Sequence, residues 1–353
     1  MAHRRERALE AVRAAGAEAL LATRPATVTW LTGYAEDVEW GPSPFALSPM
    51  ALVTADGPPV LVVSEDGAEA AAALGCEVFS YRGFSVEPID PVGGATRALR
   101  EAVGSRVVAT EPGYLPAALA PEIEWIDVGD RLRMVQAVKD PDEIEKIRGA
   151  ITLCDAGQAE ARARSAPGVT ELELWTHLRL AIEREAGART PIVADCVAGP
   201  STGDTGGAPG DRPIQEGDLV LVDLVPRRDG YWGDCCATWA VGEPSARAVA
   251  HHQAARERLE RVLEAVKPGA VAADLDAICR TGLDYPHHSG HGLGADWHEE
   301  PRIVPGSRTV LEPGMVVAFE PGSYGDGEGV RVEQVVLVTA TGYEVLSGHT
   351  LDL

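Results

Sequence analysis

Four acidic residues occupy positions where the sequence is otherwise apolar and strand-like. In GDLVLVDLVPRRDGYWGDCCATWAVG, two runs with period-2 patterning flank Asp229-Gly230, which predicts a β-hairpin. Asp223 shares a face with Leu219 and Leu221, which should point into the core, and Asp234, 11 residues later, is expected close to opposite Asp223 on the returning strand. Like charges facing each other across a ladder are destabilising unless a cation lies between them. The pattern recurs near the C-terminal end. MVVAFEPG reads as a strand ending in Glu320, and VRVEQVVLV places Glu333 inside a Val-rich run. Between these segments, PHHSGHGLGADWHEEP gathers His287, His291 and His298 among glycines that permit close backbone approach.

Each feature alone has an ordinary structural explanation, since a strand acid can sit at a bulge or edge and a His-Gly-His loop can be a solvated turn. Jointly they describe an oxygen-rich site with imidazole able to hold two divalent ions, of a kind that suits manganese, cobalt or zinc better than a soft thiol site does. Two ions about 3.5–4 Å apart can deprotonate one water and polarise a carbonyl, so the chemistry expected is hydrolysis.

These residues need elements to position them. The first third alternates helix-like and strand-like pieces: an N-terminal helix with Leu9 and Val12 facing the core, ALLATR, MALVTADG and PVLVVSE joined by a Gly-Pro-Pro turn, helical AEAAAALG, then CEVFSY and RVVAT. This predicts a small α/β domain over 1–135. A second domain is expected over 136–353, opening with a helix at Pro141 whose apolar positions are Ile144, Ile147, Ile151 and Cys154. A helix over about 170–186 follows, with Leu172, Leu174, Leu178, Leu180 and Ile182 as its expected apolar side.

The composition narrows the function class. Of 353 residues, 31 are Lys or Arg and 54 Asp or Glu, and the net charge of −23 would repel nucleic acid and anionic membranes. No run approaches the roughly 18 apolar residues of a membrane span. Glu10, Arg13 and Glu18 interrupt what would be the apolar region of a signal peptide. Six cysteines without zinc-type spacing read as small buried residues in a reducing cytoplasm, with adjacent Cys235 and Cys236 on opposite strand faces.

At the acidic and histidine positions the chain resembles the pita-bread metallohydrolases, the superfamily of methionine aminopeptidase, Xaa-Pro aminopeptidase, prolidase and creatinase. The likeness spans the whole chain, including ALLATRPATVTWLTGY in the first domain. It implies an α+β architecture, with a pita-bread catalytic domain preceded by a smaller α/β creatinase-type N-terminal domain. It also implies metal ligation by Asp223, Asp234, His291, Glu320 and Glu333, which match the family's five ligands in order. Two divalent ions follow, manganese first, with cobalt or zinc as alternatives. Glu320 would also accept a proton near the nucleophilic water, and His298 would assist the tetrahedral intermediate. His287, four residues before His291, matches the proline-specific branch, and Tyr324 and Arg331 fit segments that line the pocket or support ligands there.

Two departures accompany the match. Gly206, within GPSTGDTGGAPGD, stands where proline-specific members usually carry a histidine, and Cys236, Ala237 and Thr238 replace a frequent Thr-Arg-Thr. The leading expectation is a hydrolase of N-terminal Xaa-Pro or related dipeptide or amide bonds. The alternatives are a hydrolase of a small non-peptide C–N compound of the ectoine-hydrolase type, and a noncatalytic binding protein on the same scaffold. By resemblance the partners are a small peptide or amide substrate and a second copy in a homodimer, with Trp30, Tyr34 and Trp40 as candidate pocket-lining or core residues.

Overall fold

The computed structural model describes residues 1–36 and 45–353, so Trp40 lies outside the described residues. The chain divides into two units, Met1–Gln136 and Ala137–Leu353. The first contains α1 (Ala2–Ala15), β1 (Ala19–Ala22), α2 (Pro25–Thr32), β2 (Met50–Val53), β3 (Val60–Ser64), α3 (Ala68–Ala73), β4 (Glu77–Tyr81), α4 (Pro91–Val103), β5 (Val108–Thr110), β6 (Trp125–Asp127) and α5 (Gly129–Ala137). Leu9 and Val12 of α1 are buried, and Gly16 ends that helix in the left-handed conformation. The strands form one mixed sheet in the order β4-β3-β2-β1-β5-β6. Short apolar strands such as Ala19–Ala22 are buried along their whole length because helices cover the sheet. Trp30 is almost wholly buried, so it is a core residue.

The second unit begins with α6 (Pro141–Arg164) and α7 (Glu171–Ala186). Glu143 accepts the Asp140 N–H at 2.9 Å, and Pro141 stands at the first helical position, where its missing N–H costs nothing. Thr170 and Glu173 cap α7 reciprocally, at 3.1 and 2.9 Å. Of the five expected apolar residues of α7, Leu174, Leu178 and Ile182 are buried, whereas Leu172 and Leu180 are 51% and 44% exposed. The expected five-residue apolar side is thus corrected to three. At about 100° per residue, positions i, i+4 and i+8 form one stripe, and residues two away from it lie on the far side.

Next come β7 (Ile192–Ala198), β8 (Leu219–Arg228), β9 (Tyr231–Trp232) and β10 (Cys235–Ala240). Strand β8 lies between β7 and β10 and also pairs with β9. Asp229 and Gly230 both have positive φ, 52° and 81°, which matches the strand twist in a two-residue turn. Val220, Val222, Leu224 and Cys235 pack with Leu153, Leu174 and Leu178 of the helices. The other face carries Val197, Leu221 and Cys236, and Asp223 follows on it. After α8 (Ala246–Ala265) and α9 (Ala272–Arg280) come β11 (Gly290–Gly292), β12 (Glu299–Ile303), β13 (Val316–Phe319), β14 (Gly322–Gly325), β15 (Glu328–Arg331), β16 (Gln334–Val338) and β17 (Tyr343–Val345). Five of them form a sheet in the order β12-β11-β13-β16-β17, and β14 and β15 make a separate hairpin.

Three of the four acids expected inside strands sit just outside them. Glu320 follows the last residue of β13, Glu333 lies between β15 and β16, and Asp234 lies between β9 and β10. Asp234 is also not opposite Asp223; the register places Cys236 there on β10 and Asp195 on β7. Interrupting the ladder lets a side chain leave the alternating in-out pattern. At Asp234 the interruption depends on Gly233, where a Cβ would come within 2.6 Å of the Ala150 carbonyl oxygen on α6.

The corrected face of α7 gives a direct test. Leu178→Ala should lower the stability of the second unit by roughly 2–5 kcal/mol, whereas exposed Leu180→Ala should change it by no more than about 0.5 kcal/mol. Urea unfolding of both variants checks this, and equal losses would contradict the assignment.

Candidate functional site

The acids and histidines converge on the face of β8 that bears Leu221 and Asp223. Asp223, Asp234 and Glu333 each present a carboxylate oxygen, and the three oxygens lie within 4.8 Å of one another. Asp223 Oδ1 and Glu333 Oε1 are buried and have no hydrogen-bond partner among the described residues. Burial and the neighbouring carboxylates push the Asp223 carboxyl up to about 6 and raise those of Asp234 and Glu333 well above the usual range. Orphaned buried acceptors packed against one another are costly without a cation. This donor set fits a divalent metal, which would take up those oxygens.

Glu320 and the histidines border this cluster. His291 Nδ1 donates to the Gly292 carbonyl at 2.9 Å, which leaves the Nε2 lone pair facing Asp234 Oδ2 at 3.5 Å and Glu320 Oε1 at 3.6 Å. Burial, then the neighbouring His298, lowers the His291 imidazole to about 3, so it is neutral, the form that binds a metal. Burial by itself would raise the Glu320 carboxyl. The hydrogen bond from His288, followed by the nearness of His291 and Arg331, outweighs it and brings Glu320 down to about 2.

The structure separates the roles of His287 and His288. His288 Nε2 lies 2.8 Å from Glu320 Oε1, and one ring nitrogen from each of His288, His291 and His298 lies within 4.8 Å of the other two. In the sequence His288 carries no signal beyond its adjacency to His287. His287 stacks on Tyr285 at 4.7 Å between centroids and faces Tyr324, with Nε2 to Oη at 3.0 Å; its Nδ1 is 3.9 Å from Glu320 Oε2. Beneath it, Tyr285 bonds Ser289, Ser289 donates to Asp276, and Arg280 bonds both Asp276 and the His287 carbonyl. His298 is exposed, with its ring 4.1 Å from that of His291, and burial of part of the ring lowers its pKa. Its loop is fixed by Glu299, which accepts from buried Lys139 at 2.6 Å and from the Asp296 N–H at 2.9 Å.

Arg331 closes the site from the other side. Its Nη2 donates to Asp223 Oδ2 at 2.6 Å and to Asp195 Oδ2 at 2.9 Å, and its Nη1 donates to the Thr205 carbonyl at 2.5 Å. Asp195 is a second residue without a signal in the sequence, because an Asp in IVADCVA gives no hint of what lies opposite it. Asp223, Asp234, His291, Glu320 and Glu333 are therefore brought together, His298 and Arg331 border them, and His287 and Tyr324 form a pair at the edge.

Residues 145–340 match the model of metallopeptidase family M24, and residues 4–135 match the creatinase/prolidase N-terminal domain. The probable dipeptidase PepE of Mycobacterium tuberculosis is 33% identical over 285 residues, 77% of this chain and 75% of that protein. The crystal structure of the prolidase from Pyrococcus horikoshii OT3 superposes with a TM-score of 0.85 at 24% identity, over 99% of each chain. That of dipeptidase PepE from Mycobacterium ulcerans gives 0.81 at 28% identity, over 100% of this chain and 96% of the other. The expected two-domain architecture, a creatinase-type N-terminal domain followed by a pita-bread domain, is the fold of this chain.

The strained carboxylates predict an inversion of sign. In chelator-treated protein Asp234→Asn should raise thermal stability, because the amide removes an acid that burial and the neighbouring carboxylates disfavour in its charged form. With Mn2+ added, the wild type should become the more stable of the two. Differential scanning calorimetry in both conditions checks this; a variant less stable than wild type without metal would contradict the account.

Proposed function

The chain belongs to metallopeptidase family M24, and on that premise we propose that it hydrolyses the N-terminal amide bond of small Xaa-Pro peptides or related dipeptides. The observation that carries the metal-dependent part is the orphaned pair Asp223 Oδ1 and Glu333 Oε1, held beside Asp234 and the free Nε2 of His291. Asp223, Asp234, His291, Glu320 and Glu333 would hold two divalent ions. When bound, such ions activate a water and polarise the scissile carbonyl.

The chain's own residues supply the rest. Glu320, kept ionised by His288 and Arg331, is the base that takes the proton of the attacking water and passes it to the leaving nitrogen. His298, exposed at the mouth of the cluster and neutral, donates to the oxyanion as it forms. His287 and Tyr324, joined at 3.0 Å, contact the substrate beside Glu320. The similarity to a probable dipeptidase supports the peptide substrate.

Manganese is the proposed native ion, because four carboxylates and one imidazole form a hard donor set. A homodimer and a cytoplasmic location complete the proposal. The location is supported by six free, buried cysteines. In addition, no helix among the described residues is long and apolar enough to cross a membrane.

A second reading, a small non-peptide C–N substrate, is favoured by Gly206. No side chain can reach the substrate from that position, where a Cβ would meet Asp195 Oδ2 at 2.0 Å. Xaa-Pro dipeptides and tripeptides assayed with added Mn2+ distinguish the two. Turnover that a chelator abolishes and Mn2+ restores is expected, and no turnover by the metal-loaded protein would overturn the peptidase reading. His298→Ala should lower kcat by roughly 100–1,000-fold while Mn2+ content stays at the wild-type level. Unchanged kcat would remove His298 from the mechanism.

A further inference from the structure

Asp195 and Asp223 are direct partners across the antiparallel β7-β8 ladder. Carboxylates placed this way repel each other, and a cation between them reverses the sign. That cation is the Arg331 guanidinium, whose single nitrogen Nη2 donates to Asp223 Oδ2 at 2.6 Å and to Asp195 Oδ2 at 2.9 Å. Its other nitrogens are engaged as well, Nη1 by the Thr205 carbonyl at 2.5 Å and Nε by Cys236 Sγ at 3.3 Å.

An Nη2 group has two hydrogens, and here each goes to a different carboxylate. Arg331 therefore holds Asp223 through one oxygen only and leaves Oδ1, a buried atom without a hydrogen-bond partner among the described residues, available to a metal ion in the acidic cluster. Without Asp195, the guanidinium would lose its anchor on the β7 side and could turn until Nη2 and a second nitrogen bond both oxygens of Asp223, the fork geometry arginine favours. Oδ1 would then be drawn away from the cluster.

The neighbouring loop is shaped around Asp195. Gly206 has φ 141°, and a Cβ there would lie 2.0 Å from Asp195 Oδ2 and 2.5 Å from its Cγ. The same loop supplies the Thr205 carbonyl that bonds Arg331. A glycine at 206 and a carboxylate at 195 are thus one coupled choice.

We propose that Asp195 is a positioning residue for the Asp223 carboxylate, acting through Arg331 to keep Asp223 Oδ1 free for a metal ion. The inference rests on the reading of Asp223 as a metal ligand. It predicts that Asp195→Ala weakens Mn2+ binding by roughly 10–100-fold, the usual effect of removing a residue that orients a ligand. Asp195→Asn, whose amide oxygen can still accept from Nη2, should keep most of the wild-type affinity.

The test is Mn2+ titration of chelator-treated wild type, Asp195→Ala and Asp195→Asn, read by calorimetry and by the free-Mn2+ resonance signal, with circular dichroism to confirm folding. Weak binding by the alanine variant with recovery in the asparagine variant is the expected result. Wild-type affinity in a folded Asp195→Ala protein would overturn the proposal. Equal losses in both variants would overturn it too, because the effect would then come from the charge rather than from the hydrogen bond. A wild-type chain that takes up no Mn2+ would instead remove the metal site itself. If the alanine variant does not fold, the asparagine variant decides alone, and a loss of affinity there contradicts the proposal.

Discussion

Carboxylates crowded into a water-poor space dominate the physics of this molecule. Burying an unpaired charge costs on the order of several kcal/mol even after the surroundings relax. Here Asp223, Asp234 and Glu333 bring carboxylate oxygens within 4.8 Å of one another, with Glu320 beyond the shared neighbour His291. Arg331 supplies one positive charge and holds both Asp223 and Asp195. Fully ionised, these five acids would carry five negative charges, which Arg331 and two divalent cations would balance. The burial that makes the cluster unfavourable by itself makes it selective for such ions.

The fold delivers these groups by interrupting its strands. Asp223 and its ladder partner Asp195 lie within strands, and Asp234, Glu320 and Glu333 stand at the gaps or ends of β9, β13 and β15. The apolar face of the sheet of β7, β8 and β10 is closed by α6 and α7, through Leu153, Leu174 and Leu178. One side of the sheet provides the stability and the other carries the strained polar groups, the usual division between scaffold and site.

Much of this was legible in the sequence because an acid in a Val- and Leu-rich run contradicts its own neighbourhood. Asp223 and Glu333 stood out for that reason, and His291 and His298 through their glycine-rich setting. The hidden residues depend on pairing between distant segments. Asp195 became visible only through the β7-β8 register, and His288 only when its ring turned toward Glu320 while that of His287 turned toward Tyr324. The gaps beside the acids were unreadable for a related reason, since an apolar run such as VRVEQVVLV keeps its period whether or not the ladder continues through it. Leu172 and Leu180 show the opposite failure, in which residue type suggested burial and helical geometry overruled it.

Anomalous diffraction at the manganese edge from a crystal soaked in Mn2+ tests the central claim most directly. The account predicts two peaks about 3.5–4 Å apart, within coordination distance of Asp223, Asp234, His291, Glu320 and Glu333. A fully soaked crystal with no peak among these residues would contradict it.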